Sequence, residues 1–202
     1  MTNIVQLNDI FSCPAYSVNP ETRMSTENSY PVSSFLSSIV NTRLSEDVRF
    51  RRREEYGRNH DEDNILTTFN TIQINTGRRS GHTTAIKDIV TSNFLYSSLI
   101  FCSNMNMLNY TRDLIVDSFE RCSIGVDYGG KVSRINGSGN GGGKIIYLAI
   151  NGTDLISEFS NDVLNAIIID DASRHTSHVE FHRPLVISFL KNNLSLLYIL
   201  MG

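Results

Sequence analysis

Short apolar runs alternate with helical patterns from Phe69 onwards, and this alternation limits the possible folds more than any other feature of the chain. Five runs are predicted to be strands: Phe69–Asn75, Ser98–Cys102, Lys144–Ile150, Ala166–Ile169 and Leu196–Met201. Strands that are separated by helices usually lie parallel in one sheet, with helices on both faces. The sequence therefore predicts an α/β domain with a mostly parallel central sheet flanked by helices.

Helical spacing of apolar residues occupies three of the connections. One helix of about three turns is expected from Thr83, ending near the segment 96–98, and a second from Met107 to Arg121. A third is expected from Arg174 to about Lys191, broken or restarted at Pro184. The glycine-rich stretch from Gly137 to Gly143 precedes a strand, so we interpret it as a flexible connection, with DNA or subunit contact as the alternative.

Residues 1–64 differ from the rest in composition. Serine, threonine and asparagine dominate up to Ser45, and the apolar clusters Ile10–Phe11, Phe35–Leu36 and Ile39–Val40 predict an arm that packs in places, with one short helix. The stretch from Glu46 to Asp63 is densely charged and predicts a helix up to about Glu55, before Gly57 interrupts it. Its arginines are interpreted as a solvated face, with nucleic-acid contact as the alternative. We expect a polar N-terminal arm with a charged helix at 1–64 and an α/β domain at 65–202.

Composition excludes several classes of protein. The 202 residues are 40% hydrophobic, and no apolar run approaches the length of a membrane helix. The net charge of -3 excludes a globally basic nucleic-acid coat. The cysteines, Cys13, Cys102 and Cys122, are widely spaced and odd in number, which argues against a disulfide scaffold or a zinc knuckle. We expect a soluble cytoplasmic protein with no membrane partner.

The segment between the first predicted strand and the first predicted helix has the chemistry of a phosphate-binding loop. Its residues are Thr76, Gly77, Arg78, Arg79, Ser80, Gly81, His82, Thr83 and Thr84. A phosphate requires exposed backbone N–H groups, small residues and a helix N-terminus, and this segment offers all three. It resembles the loop of P-loop NTPases, in which a hydroxyl at the position of Thr83 holds Mg²⁺. An ordinary glycine turn is the alternative.

Two positions differ from the P-loop pattern. Thr76 stands at the first glycine position and His82 stands at the lysine position. Because histidine is about half charged only near its ordinary pKa of ~6.5, Arg78 or Arg79 is a second candidate for neutralising the phosphates. Weak nucleotide binding is the alternative outcome.

Two carboxylates follow the apolar strand Ala166–Ile169. A buried strand that ends in an aspartate positions that carboxylate behind Mg²⁺ in P-loop folds, and Asp170 has this position. The next acid, Asp171, is the candidate for aligning or deprotonating the attacking water. Further along, His175, His178 and His182 have helical spacing, and a solvated helix is favoured over a metal site there.

From about Phe69 to Gly202 the chain resembles the ATPase domain of viral terminase large subunits, the motors that package DNA. Four segments carry the resemblance: GRRSGHTT, SLIFC with SNMNMLNYTRD, KIIYLAINGTDL and AIIIDDAS. It implies a RecA-like P-loop fold of the additional-strand class, ATP and Mg²⁺ as cofactors, and ATP hydrolysis that drives viral DNA packaging or related translocation. Double-stranded DNA and a homo-oligomeric ring are the partners that the resemblance implies.

The resemblance also implies a role for each site residue. The main chain from Gly77 to His82 would hold the phosphates, Thr83 and Asp170 would hold Mg²⁺, and Asp171 would be catalytic together with Arg78 and Arg79. Family members usually have glutamate at the position of Asp171. The alternative function is a nucleotide-binding or structural module with a degenerate P-loop, in which His82 and Asp171 mark lost turnover.

Overall fold

Eight strands join into one sheet in the computed structural model of the chain. The structure describes residues 4–6, 31–44, 61–75, 81–91, 95, 97–119, 124–129, 132–139, 142–150, 163–172 and 176–202. The strands are β1 (Ile4–Gln6), β2 (Thr71–Asn75), β3 (Ser97–Cys102), β4 (Ile124–Gly129), β5 (Val132–Gly139), β6 (Gly142–Ile150), β7 (Ala166–Ile169) and β8 (Leu197–Met201). The helices are α1 (Pro31–Leu44), α2 (Glu62–Ile65), α3 (His82–Thr91), α4 (Met105–Ser118) and α5 (Thr176–Asn192), and a π-helical segment, Leu66–Asn70, continues α2.

The strand order is β1-β2-β8-β7-β3-β6-β5-β4. In this order, the six strands β1, β2, β8, β7, β3 and β6 pair in parallel with their neighbours. Strand β5 runs antiparallel to both β6 and β4. One strand, β8, therefore lies between β2, which precedes the phosphate-loop segment, and β7, which precedes the two aspartates. This is the strand order of additional-strand P-loop folds, and the predicted fold class is confirmed.

Helices cover both faces of the sheet because the strand side chains alternate between two apolar layers. On β7, for example, Ile168 belongs to the layer beneath α1, α3 and α4, whereas Ile167 and Ile169 belong to the layer beneath α5. A strand buried on both faces is apolar at every position, which is why the run from Ala166 to Ile169 contains no polar residue.

Several element boundaries differ from those predicted. Strand β2 begins at Thr71 and not at Phe69, because Asn70 ends the π-helical segment and its side-chain amide donates to the carbonyls of Leu194 and Leu196, at 2.9 and 2.7 Å. Helix α3 ends at Thr91, before the predicted end near 96–98. Helix α4 begins two residues earlier than predicted, where the Asn104 side chain accepts a hydrogen bond from the Met107 N–H at 3.0 Å.

The predicted break at Pro184 is wrong, because α5 runs through this residue to Asn192. Proline lacks an N–H and removes one helical hydrogen bond. Pro184 is exposed, so water can satisfy the carbonyl that loses this bond, and burial of Leu185 and Val186 stabilises the same turn. The predicted solvated helix is also wrong for His182, which is 1% exposed and stacks on Phe101 with ring centroids 3.6 Å apart.

The glycine-rich stretch before β6 contributes to a hairpin, so the predicted flexible connection is wrong. Strands β5 and β6 stay paired up to Gly139 and Gly142, which leaves Asn140 and Gly141 between them. An Asn-Gly pair between two strands is a strong signal for a two-residue hairpin. Strand β4, which the sequence did not predict, pairs with β5 at the edge of the sheet.

The N-terminal part of the chain contacts this sheet in two places. Strand β1 pairs with β2, and α1 contributes the buried side chains of Leu36 and Val40 to the layer that it shares with α3. The predicted short helix is thus present. The charged helix predicted up to Glu55 lies outside the described residues, and the division at residue 64 stays a prediction. Among the described helices, none is both long and apolar enough to cross a bilayer.

Candidate nucleotide-binding site

The segments that follow β2 and β7 leave the sheet at the same edge, because parallel strands place their carboxyl ends together. Ile74 of β2 is paired with Met201, and Leu200 of β8 is paired with Ile169 of β7. Residues 76–80, with the predicted phosphate ligands Thr76, Gly77, Arg78, Arg79 and Ser80, lie outside the described residues. The described part of the phosphate-loop segment begins at Gly81.

Gly81 determines how helix α3 begins. Its φ of 86° lies in the left-handed region that favours glycine, and its carbonyl accepts the Ala85 N–H at 2.9 Å. Glycine has no side chain that can cap the first turn, and the first N–H groups of a helix have no acceptor within it. Since the helix dipole also favours negative charge there, the turn that contains His82, Thr83 and Thr84 has the local form of an anion site.

Backbone hydrogen bonds fix the two aspartates that follow β7. The Asp170 N–H donates to the Phe101 carbonyl at 2.9 Å, and the Ala172 N–H donates to the Met201 carbonyl at 2.6 Å. Between them, Asp171 has a φ of 62°, a left-handed conformation that aspartate tolerates better than most residues. Both acids are therefore held at the edge of β7 between β3 and β8.

Asp170 is 5% exposed and has an unusual pKa. Burial and, to a smaller extent, the nearby charge of Asp171 raise the pKa of its carboxyl to about 6, and a hydrogen bond from the Asp171 N–H partly offsets this rise. A buried carboxylate beside a second acid is stabilised by a cation. The electrostatics of this pair therefore favour a bound metal ion.

His82 and Asp171 lie close enough for their charges to interact. Burial lowers the pKa of the half-buried His82 imidazole, and the attraction of Asp171 raises it by a smaller amount. The beginning of α3 and the end of β7 are thus close enough for electrostatic interaction on either side of β8, although they are far apart in the sequence. Because burial disfavours the charged imidazolium, His82 is not a permanent positive charge, in contrast to the lysine of P-loop NTPases.

The candidate metal ligands, Thr83 and Asp170, offer the oxygen atoms that Mg²⁺ prefers. Within the described part of the chain, no group of three or more histidine, cysteine, aspartate or glutamate side chains could hold a metal ion. Mg²⁺ does not require such a cage, because it usually binds one or two protein oxygens, several waters and the phosphates of a nucleotide. The hydroxyl of Thr83 and the carboxylate of Asp170 are oxygen donors of this type.

Sequence reasoning missed one neighbour of the acids. The Cys102 thiol, at the end of β3, is fully buried, and its pKa is raised to about 12 by burial and by the charge of Asp170. Thr111 of α4 lies beside this thiol. The position of Cys102 at the end of a strand, like that of Asp170, was the signal that could have identified it.

Arg183 is the arginine of helix α5, and the sequence leaves it as a candidate for sensing nucleotide or reaching a neighbouring subunit. Its guanidinium Nε donates to the Asp63 carboxylate at 2.7 Å, and a terminal nitrogen donates to the Thr67 hydroxyl at 2.9 Å. These bonds join α5 to α2 and its π-helical continuation. They give Arg183 a structural role on the face of the sheet that α5 covers.

The fold and the described edge define an α/β domain of the P-loop class with a candidate anion site and an acidic pair. Among solved structures, the chain is similar to the ATPase domain of the large terminase of Thermus phage P74-26, with 15% identity, 77% of this chain and 68% of that chain covered, and a TM-score of 0.41. It is also similar to the large terminase of a thermophilic bacteriophage, with 13% identity, 69% of this chain and 37% of that chain covered, and a TM-score of 0.41. No protein-family model and no curated protein matches the sequence. These values describe similarity of backbone arrangement, and phage large terminases are the family that the sequence resembles.

Proposed function

We propose that the chain is an ATP-binding and ATP-hydrolysing motor domain for viral DNA packaging or related DNA translocation. The observation that supports the ATPase proposal is the electrostatic interaction between His82 and Asp171. It is consistent with a single site that includes the helix after the phosphate-loop segment and the acidic strand end, as phosphoryl transfer requires. The resemblance of the sequence to terminase ATPase domains supports the assignment to DNA packaging.

Each residue has one proposed role. The main-chain N–H groups from Gly77 to His82 bind the phosphates, and Arg78 and Arg79 neutralise them, because burial disfavours the charged form of His82. Thr83 and Asp170 hold Mg²⁺, which neutralises phosphate charge when it is bound.

Asp171 accepts a hydrogen bond from the attacking water and aligns it for in-line attack. Asp171 has a left-handed backbone conformation in the turn directly after β7, and this position at the strand end supports the proposed role. Double-stranded DNA, a homo-oligomeric ring and a location in the host cytoplasm belong to the same proposal.

The test is Mg²⁺-dependent phosphate release from ATP, with and without duplex DNA, for the parent, Asp171→Asn and Thr83→Ala. Asp117→Asn is the matched control, since this aspartate is exposed near the end of α4. We expect release by the parent and the control, and loss of at least about 100-fold in the two site variants, as is typical for removal of a catalytic or transition-state-stabilising group. Equal background release by all four proteins would eliminate the ATPase proposal.

A second candidate function is nucleotide binding with little turnover, and the lowered pKa of His82 favours it. This function predicts that His82→Lys, which restores a permanent charge, increases phosphate release. It also predicts that ATP affinity increases below pH 6.5 in the parent but not in His82→Gln, since only the parent gains an imidazolium. A parent as active as His82→Lys, with equal pH profiles for parent and His82→Gln from pH 5.5 to 8, would reject this candidate.

A further inference from the structure

Asp170 has buried neighbours on the face of the sheet that α4 covers, and the role assigned to them here rests on the proposed Mg²⁺ role of this aspartate. Strands β3 and β7 are adjacent and parallel, with Phe101 paired to Ile169. One residue further along each strand come Cys102 and Asp170, and the charge of Asp170 acts on the Cys102 thiol. The Cys102 thiol is thus a close neighbour of the Asp170 carboxylate on the adjacent strand.

Thr111 of α4 also lies beside this thiol and is 1% exposed. Its hydroxyl makes no full hydrogen bond among the described residues, and its weak polar interaction with the thiol slightly opposes the rise in the pKa of Cys102. Four other hydroxyl side chains of the described helices, those of Thr42, Thr67, Thr91 and Ser118, donate to the carbonyl four residues earlier. The Thr111 hydroxyl makes no such bond among the described residues, and its polar interaction is with the Cys102 thiol.

A buried hydroxyl without a full hydrogen bond destabilises a fold, and valine would fill the same volume without this penalty. The unfavourable group lies next to the thiol on which the charge of the proposed metal ligand acts. Residues behind a metal ligand orient it, and their replacement typically weakens metal binding. This arrangement distinguishes Thr111 from an ordinary core threonine.

We propose that Thr111 is a positioning residue for Asp170, which acts through the Cys102 thiol and ties helix α4 to the metal-binding end of β7. The hydroxyl holds the thiol, and the thiol restricts the orientations of the Asp170 carboxylate. Replacement of Thr111 by valine removes the polar contact and keeps the packing. Cys102→Ala removes the thiol through which Thr111 is proposed to act.

The chain provides a matched control in Ser98. This residue lies on the same strand, and its hydroxyl is also buried without a hydrogen-bond partner among the described residues. It lies four residues before Cys102, roughly 13 Å away along the strand, so it cannot contact Asp170. Ser98→Ala therefore removes a hydroxyl with the same environment but without the proposed role.

The test measures binding of Mn²⁺, as a paramagnetic substitute for Mg²⁺, in the presence of a non-hydrolysable ATP analogue. Enhancement of water-proton relaxation separates protein-bound from ATP-bound Mn²⁺ and needs no turnover. We expect Thr111→Val and Cys102→Ala to weaken Mn²⁺ binding roughly 10-fold, and Thr111→Ser and Ser98→Ala to bind like the parent. Thermal unfolding in metal-free buffer should show Thr111→Val at least as stable as the parent.

The outcomes separate the two proposals. Parental Mn²⁺ binding by Thr111→Val, or equal weakening by Ser98→Ala, would overturn the positioning role while leaving the proposed ATPase intact. A parent protein that binds no Mn²⁺ with the nucleotide analogue would overturn both. Weakened binding in Thr111→Val that Thr111→Ser restores would support the positioning role.

Discussion

Replacement of Asp170 by asparagine changes one atom of a buried side chain and removes its charge. The carboxyl is 5% exposed, and its pKa is raised to about 6, so at pH 7 the folded chain holds an ionised group that would be better solvated in the unfolded chain. Asparagine keeps the shape and can still accept the hydrogen bond from the Asp171 N–H. We therefore expect Asp170→Asn to abolish the proposed Mg²⁺ role and to stabilise the metal-free fold.

The magnitude follows from the difference between the folded and unfolded pKa of Asp170. The folded pKa of about 6 is roughly 2 above the ordinary value of 3.8, which corresponds to about 3 kcal/mol at pH 7 as an upper limit. Because the folded state binds more protons than the unfolded state between about pH 4 and pH 6, this group makes the parent less stable as the pH rises through that window. Near pH 4.5 the difference between variant and parent should fall to about 1 kcal/mol.

Urea unfolding at pH 4.5 and pH 7.0, in buffer with a chelator, measures both values. Asp117→Asn, at an exposed position on α4, is the control for loss of one negative charge. We expect Asp170→Asn to gain about 2 to 3 kcal/mol at pH 7.0, a smaller gain at pH 4.5, and almost no effect in the control. A variant that is less stable than the parent at pH 7.0, or an equal gain at both pH values, would refute the reasoning.

Three further predictions concern other described residues. Gly81→Ala should lower the free energy of unfolding by about 1 kcal/mol, because its φ of 86° strains a residue with a Cβ, and unchanged stability in urea unfolding would contradict this. Burial lowers the pKa of the Lys144 ammonium to about 8. The free energy of unfolding of the parent should therefore increase by about 1 kcal/mol between pH 7.5 and 9.5, after allowance for solvent screening, and that of Lys144→Met should not. Urea midpoints that change in parallel for the two proteins would refute this prediction. The partly exposed pair of Arg183 and Asp63 should show a coupling of only about 0.5 kcal/mol in a double-mutant cycle of Arg183→Gln and Asp63→Asn, and a coupling above about 2 kcal/mol would show that it is more than a surface ion pair.

Local patterns predicted most strands and helices of the described domain because apolar periodicity is a property of neighbouring residues. The run Ala166–Ile169 was assigned with its observed bounds, since only a strand buried on both faces is apolar throughout. The predictions failed where distant partners decide the local structure. Asn70 belongs to the π-helical segment because it donates to carbonyls of the turn before β8, and α5 continues through Pro184 because the sheet buries the same turn.

The candidate site divides in the same way. The sequence identified the described residues Gly81, Thr83, Asp170 and Asp171 from their positions after predicted strands, and their roles stay predictions. The sequence gives no basis for predicting the charge state of His82, because its pKa depends on the burial of the imidazole and on the nearby charge of Asp171. It also did not identify Cys102 as a neighbour of Asp170.

The sequence by itself determined the alternation of strands and helices, the glycine at the beginning of α3 and the two acids at the end of an apolar strand. Only the tertiary structure decided that β8 lies between β2 and β7, and that His82 is close enough to Asp171 for the two charges to interact. The physical reason is range: periodicity and turn chemistry act over a few residues, whereas strand order and the burial of a charge depend on contacts between segments that are distant in the chain.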